Sequence, residues 1–183
     1  MIIHFSQLAK IRKKFSYKKI VFAGGVFDLS HSGHIDSIKN LMKYGDIVVV
    51  AVSTDKRVKE RKGPKRPILS QQERVHLVDA IRYVDYALIA PESTIKNPIP
   101  TMKILQVLRP DNFVTIDRRF LLYKKQIKGL GIKLHIFSRM KVNSTTHIIK
   151  NILKKYRKEL PIRNSARRKM KVQENGEKRI SIK

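Results

Sequence analysis

The chain has no cysteine and no tryptophan, and only 14 of its 183 residues are acidic. Without cysteine there can be no disulfide, no thiol nucleophile and no cysteine-held zinc, so any bound metal must rely on oxygen or imidazole ligands. Long apolar runs are missing too: none approaches the roughly 18 residues that a membrane-spanning helix requires. The opening residues "MIIHFSQLAKIRKKFSYKK" lack the extended apolar centre of a secretory signal. These absences predict a soluble, cytoplasmic protein.

Positive charge is present in excess. The 41 Lys and Arg give a net charge of +27. A surplus of that size attracts polyanions such as nucleic acid, an anionic membrane surface or nucleotide phosphates, without choosing among them. A lysine-rich composition spread over a solvated surface is the plain alternative. With 42% apolar residues the chain can bury one domain-sized core, and a second full domain would be hard to fit.

Apolar runs alternate with amphipathic segments along the chain. "KIVFA" (19–23), "DIVVVAVS" (46–53), "YALIA" (86–90), "NFVTI" (112–116) and "KLHIFS" (133–138) are short, β-branched and apolar on both parities, the pattern of strands buried on both faces. Helical patterns lie between them at 33–44, 71–83, 101–108 and 120–130, with a last one from Ser144 to about Leu160. Ser70 and Glu73 have capping-box spacing, and Pro161 closes the last helix. The order predicts an α/β, Rossmann-like doubly wound parallel sheet of about five strands in a single domain over 19–160. Residues 1–18 read as a lead-in helix and 161–183 as a basic disordered tail. No internal repeat is present.

The stretch "GGVFDLSHSGH", Gly24 to His34, follows the first strand and opens the first helix. In an open parallel sheet ligands bind there, outside the carboxyl ends of the strands. Gly24 and Gly25 let backbone approach a ligand, with positive φ available, and Gly33 keeps the helix start slim. The free N–H groups of the helix start form an anion site, and His31 and His34, three apart, share its first turn. The residues describe a phosphate cradle with two imidazoles. Neither G-x-G-x-x-G nor G-x-x-x-x-G-K-[ST] is present, and no third metal ligand stands near the histidines in sequence.

This stretch resembles the G-x-F-D-x-x-H-x-G-H signature of the cytidylyltransferase-like nucleotidyltransferases. "RMKVNSTTHII", from Arg139, resembles their second signature, R-x-x-x-x-S-T-[ST]. "KGPKRPILSQQERVHLVDAIRYVD", from Lys62, is similar to the middle of glycerol-phosphate and ethanolamine-phosphate cytidylyltransferases and of heptose-phosphate adenylyltransferases. The resemblance implies that a phosphorylated small molecule attacks the α-phosphorus of a nucleoside triphosphate and pyrophosphate leaves, with Mg²⁺ as cofactor. It implies catalytic roles for His31, His34 and Arg139. Gly25, Val26, Phe27, Gly33, Ser144, Thr145 and Thr146 join them around the nucleotide. Arg61, Lys62, Arg74 and Lys96 are candidates for the acceptor or triphosphate, or else surface charges. Asp28 is expected to brace the turn by hydrogen bonds, with Mg²⁺ contact as the alternative. Family members carry a glycine before an acidic residue after the fourth strand, whereas here Ile116 precedes Asp117. Arg139 resembles the cytidylyltransferases, so the expected donor is CTP, with ATP as the alternative. A non-catalytic nucleic-acid-binding protein on the same fold is the reading from another class. The resemblance also implies a homodimer, and the basic tail offers a contact for an anionic membrane surface or nucleic acid.

Overall fold

The computed structural model describes residues 1–92, 99–137 and 144–157. Five strands, β1 (Ile20–Gly25), β2 (Ile47–Val52), β3 (Tyr86–Ile89), β4 (Asn112–Thr115) and β5 (Lys133–Ile136), form one sheet in the order β3-β2-β1-β4-β5. Every strand pairing is parallel, with Val21 opposite both Val48 and Asn112. This is the Rossmann-like α/β domain expected from the sequence. Helices α1 (Leu8–Lys14), α2 (Ser32–Leu41), α3 (Asp55–Lys62), α4 (Gln71–Asp79), α5 (Pro100–Leu108) and α6 (Lys124–Gly129) connect or flank the strands.

Both faces of the sheet are covered, so strand parity divides the core in two. Ile20 and Phe22 of β1 join Val49, Leu88, Leu105 and Phe113 on one face. Val21 joins Val48, Val50, Ile38, Leu41, Val75 and Val78 on the other. β2 is buried at all of its positions, which is why its sequence reads as an unbroken apolar run. The chain lays down β1, β2 and β3 in one direction, then crosses β1 to place β4 and β5 beyond it. The crevice at the carboxyl ends of β1 and β4 is therefore the topological switch point.

Two helical expectations differ from the structure. α3 has no counterpart among the expected helices, because "DKRVKERK" buries only Val58 and has no apolar period to read. The single helix expected over 120–130 is a 3-10 segment, Arg118–Tyr123, followed by the short α6. The lead-in begins with a 3-10 turn over Phe5–Gln7, and α1 then buries Leu8 and Ile11. The capping box at α4 is present: Ser70 Oγ accepts from the Glu73 amide and Glu73 accepts from the Ser70 amide.

The chain divides into two compact units, Met1–Thr145 and Thr146–Lys183. In the second, the described residues are those of α7 (Thr145–Tyr156) from Thr146 onward and Arg157, and Asn151 and His147 are hydrogen bonded at 3.0 Å. Among the described residues no helix is long and apolar enough to cross a membrane. The tail expected at 161–183 lies outside the described residues.

Candidate active site

β1 ends in the glycine pair and releases the chain into the loop that carries the first signature. The positive φ expected at Gly24 or Gly25 falls instead on Phe27 (54°) and Leu29 (46°), while both glycines remain in the strand. Gly25 is required for another reason: a Cβ there would stand 2.7 Å from the Phe27 ring. Left-handed backbone at a bulky residue persists only where its surroundings over-determine it. Arg74 Nη1 donates to the Val26 carbonyl at 2.6 Å, and Thr145 Oγ1 donates to the Asp28 carbonyl at 2.6 Å. These bonds grip the loop on either side of Phe27.

The loop delivers two imidazoles to the start of α2. His31 is the N-cap and provides no side-chain cap; the His34 amide donates to the His31 carbonyl at 2.9 Å, which leaves the Ser32 and Gly33 amides of the first turn as donors for a ligand. The His31 and His34 rings stack with centroids 3.9 Å apart and planes inclined by 22°. Phe27 tilts against His34 at 5.3 Å. The Nδ1 atoms of both histidines are buried without a hydrogen-bond partner among the described residues. Burial lowers the His31 pKa. Burial, then the charges of His31 and Lys62, push His34 down to about 4, with Asp28 opposing. The pair is therefore neutral at pH 7. Its surroundings favour neither imidazolium: burial acts on both rings, and at His34 the charges of His31 and Lys62 add to it.

Lys62 and Arg61 close α3, next to Gly63 with φ of 90°. The charge of Lys62 reaches His34. Arg61 points to the other wall, where it forms an ion pair with Asp117 at 3.6 Å. Asp117 also pairs with Arg119 and caps the 3-10 segment after β4. The Asp117 carboxyl is held below its ordinary pKa, chiefly by the Arg119 hydrogen bond. Ile116, where family members have glycine, is 53% exposed.

Arg74 requires a correction. It neither reaches the acceptor nor lies exposed: it has no exposed surface. Nε donates to the Leu69 carbonyl, Nη1 to Val26 and Nη2 to both Ser53 and Asp55. The amphipathic pattern of α4 does not reveal this, because a buried Arg is rare and depends on carbonyls brought in from distant segments. Asp28 braces the turn as expected. Its carboxylate accepts from Arg66 Nε at 2.8 Å and from the amides of Ile68 and Leu69 at 3.0 and 3.1 Å. With both oxygens engaged it does not fit as a Mg²⁺ ligand. Among the described residues no group of three His, Asp or Glu could hold a metal. Arg66 is absent from the residues that the sequence singles out; its only signal is the shared stretch "KGPKRP".

Thr145 is buried at the loop, and Ser144 directly precedes α7. Thr146 belongs to the second unit. Arg139 and Lys96 lie outside the described residues. Val26, Phe27 and His31 share the β1–α2 loop, Gly25 ends the strand that feeds it, Gly33 and His34 lie in the first turn of α2, and Lys62 joins them through its charge.

A parallel sheet with an anion-ready helix start and paired imidazoles at its switch point defines a nucleotide-handling α/β enzyme. The sequence model of the cytidylyltransferase-like family matches residues 22–166, and the chain belongs to that family of nucleotidyltransferases. Bifunctional protein HldE of Geobacter sulfurreducens is 31% identical over 142 residues, which cover 78% of this chain and 28% of that protein. HldE of Helicobacter pylori is 39% identical over 107 residues, covering 58% and 22%. The chain thus spans little more than a quarter of the length of the first of these curated relatives. Among solved structures, the lipopolysaccharide core biosynthesis protein of Thermoplasma volcanium is 31% identical with a TM-score of 0.54, covering 69% of this chain and 99% of that one. Pantoate-beta-alanine ligase of Francisella tularensis, 16% identical with a TM-score of 0.54, shares the fold.

Proposed function

We propose that the protein transfers AMP from ATP to a sugar phosphate and releases pyrophosphate. The observation that carries nucleotidyl transfer is the stacked His31–His34 pair at the open start of α2, with the charge of Lys62 upon it. Such a site is stabilised by a polyphosphate, whose negative charge offsets Lys62 and supplies acceptors to the imidazole N–H groups.

The acceptor phosphate needs no general base, because its second pKa is near 6 and it is ionised at neutral pH. One acceptor oxygen forms a bond to the α-phosphorus as the bond to the pyrophosphate oxygen breaks. Catalysis is then a matter of alignment and charge stabilisation. Neutral His31 and His34 donate hydrogen bonds to phosphoryl oxygens as negative charge builds, and the first-turn amides add fixed dipoles. Arg139 and Ser144 to Thr146 are assigned to the triphosphate through the second signature. Mg²⁺ is assigned only to the triphosphate itself, since Asp28 is fully engaged by the protein.

Two likenesses support ATP and a sugar over CTP and an alcohol. Of the enzymes that the segment from Lys62 to Asp85 resembles, only the heptose-phosphate adenylyltransferases act on sugars. A lipopolysaccharide core is built of sugars, and the likeness to this chain takes in nearly the whole Thermoplasma protein. Pyrophosphate release from ATP and CTP should be measured with a panel of sugar, glycerol and ethanolamine phosphates. ATP with a sugar phosphate is expected to exceed every CTP pair by at least about tenfold in kcat/KM, a difference of about 1.4 kcal/mol. A preference for CTP with glycerol or ethanolamine phosphate would overturn the assignment.

A further inference from the structure

We propose that Arg66 is a positioning residue which, by clamping the buried Asp28, holds Lys62 against the His31–His34 pair. The argument begins with α3. This eight-residue helix buries one side chain, Val58, and ends in a basic run, with Lys59, Arg61 and Lys62 in its last turn. Its beginning is well anchored. Thr54 caps it, the Asp55 amide donates to Gln71, and the Asp55 carboxylate pairs with Arg74. Its end is held more loosely: Arg61 pairs with Asp117 at 3.6 Å and the Gly63 amide donates to the Lys59 carbonyl at 2.9 Å, while like charges crowd the last turn.

A further and better shielded anchor lies four residues beyond Lys62. Arg66 places Nε and Nη2 both 2.8 Å from Asp28 Oδ2, and the Arg66 amide donates to the Gly63 carbonyl at 3.2 Å. The Arg66 side chain is 13% exposed and that of Asp28 is 1% exposed, so the pair is largely shielded from water. Asp28 also receives the Ile68 and Leu69 amides, and it lies three residues before His31 in the loop that delivers both histidines. One carboxylate thus fastens the segment carrying Lys62 to the segment carrying the imidazoles. Thr145 Oγ1, in the same compact unit, donates to the carbonyl of the same aspartate and adds a further hold on the loop. Arg66 touches neither histidine. Its influence on them is exerted through the position of Lys62, whose charge reaches His34.

The test reads His34 directly, without substrate, so its result is independent of whether the donor is ATP or CTP and whether the acceptor is a sugar. The C–H resonances of His34 are titrated by NMR in the full chain and in Arg66→Ala, Arg66→Lys, Lys62→Met and the double variant Lys62→Met/Arg66→Lys. Thermal melts accompany each titration. Removing the Lys62 charge raises the His34 pKa, because that charge disfavours the imidazolium. Arg66→Ala is expected to raise it in the same direction by releasing Lys62. Arg66→Lys is expected to raise it by less, and to add nothing further in the Lys62→Met background. In turnover, Arg66→Ala is expected to lower kcat/KM about 10- to 100-fold, with part of the loss restored in Arg66→Lys. If Arg66→Ala does not fold, the cycle between Lys62→Met and Arg66→Lys decides. Additive shifts in that cycle, or an unchanged His34 pKa in a folded Arg66 variant, would overturn the proposal.

Discussion

At the scale of single residues, His34 stands at the proposed phosphate site and is costly to charge. Its pKa of about 4 in the folded protein lies below the roughly 6.5 of an unperturbed histidine. Between these values the unfolded chain binds more protons, so folding stability rises with pH across that window and is fully expressed above it. His34→Ala removes this dependence. The melting temperature of the variant should fall less steeply than that of the parent as pH drops from 6.5 to 4, and equal slopes would assign the loss to other groups. Deleting the side chain also deletes a donor to the developing phosphoryl charge, so kcat at pH 7 should fall about 10²-fold or more. Near-normal turnover in a folded His34→Ala protein would mean that the signature histidine is structural. Two buried Nδ1 atoms without partners weigh against that outcome, since native proteins rarely leave such groups unsatisfied without a reason.

At the scale of elements, the site depends on how firmly three loops are held to the carboxyl edge of the sheet. Arg74 fixes the start of α4 to the ends of β1 and β2 through the carbonyls of Leu69, Val26 and Ser53. Replacing it with Ala strands those carbonyls and the Asp55 carboxylate. Leaving a buried acceptor without its donor costs about 1–3 kcal/mol, and Arg74 serves three such carbonyls. Thermal unfolding of Arg74→Ala should therefore show a melting temperature lower by several degrees, and an unchanged melt would disprove its structural role. The sequence shows α4 clearly, because Ser70 and Glu73 mark its start, but it cannot show where the Arg74 side chain goes. The strands are legible for a physical reason as well. Central strands covered on both faces, such as β2, have no polar parity to confuse them with amphipathic helices. α3 is illegible because it is held by a cap and by ion pairs instead of an apolar stripe. The site divides in the same way. Its imidazoles are local in sequence and could be read, whereas the Asp28–Arg66 clamp joins residues that only the fold brings together.

At the scale of the whole molecule, the open question is what the +27 charge does. Part of it lies near the histidines, where the charge of Lys62 reaches His34 and Arg61 pairs with Asp117. A large share lies elsewhere: residues 154–183 contain twelve Lys and Arg against three Glu. The family match ends at residue 166, so most of this charge falls beyond the part of the chain shared with other nucleotidyltransferases. A transition state is stabilised only by groups that contact it more strongly than the ground state. The first signature and Lys62 lie within residues 24–62, and the second signature ends before the last helix does. Removing residues 163–183 should accordingly leave kcat within about twofold. Binding to polyanions should weaken, because each cation near an anionic surface contributes on the order of 1 kcal/mol at low salt. Co-sedimentation of full-length and truncated protein with anionic vesicles and with RNA, at two salt concentrations, checks both halves. The full chain should bind more tightly, and its advantage should shrink at the higher salt as screening shortens the reach of each charge. Unchanged binding after truncation would show that the surplus is compositional. A large loss of turnover would place the tail in the chemistry itself.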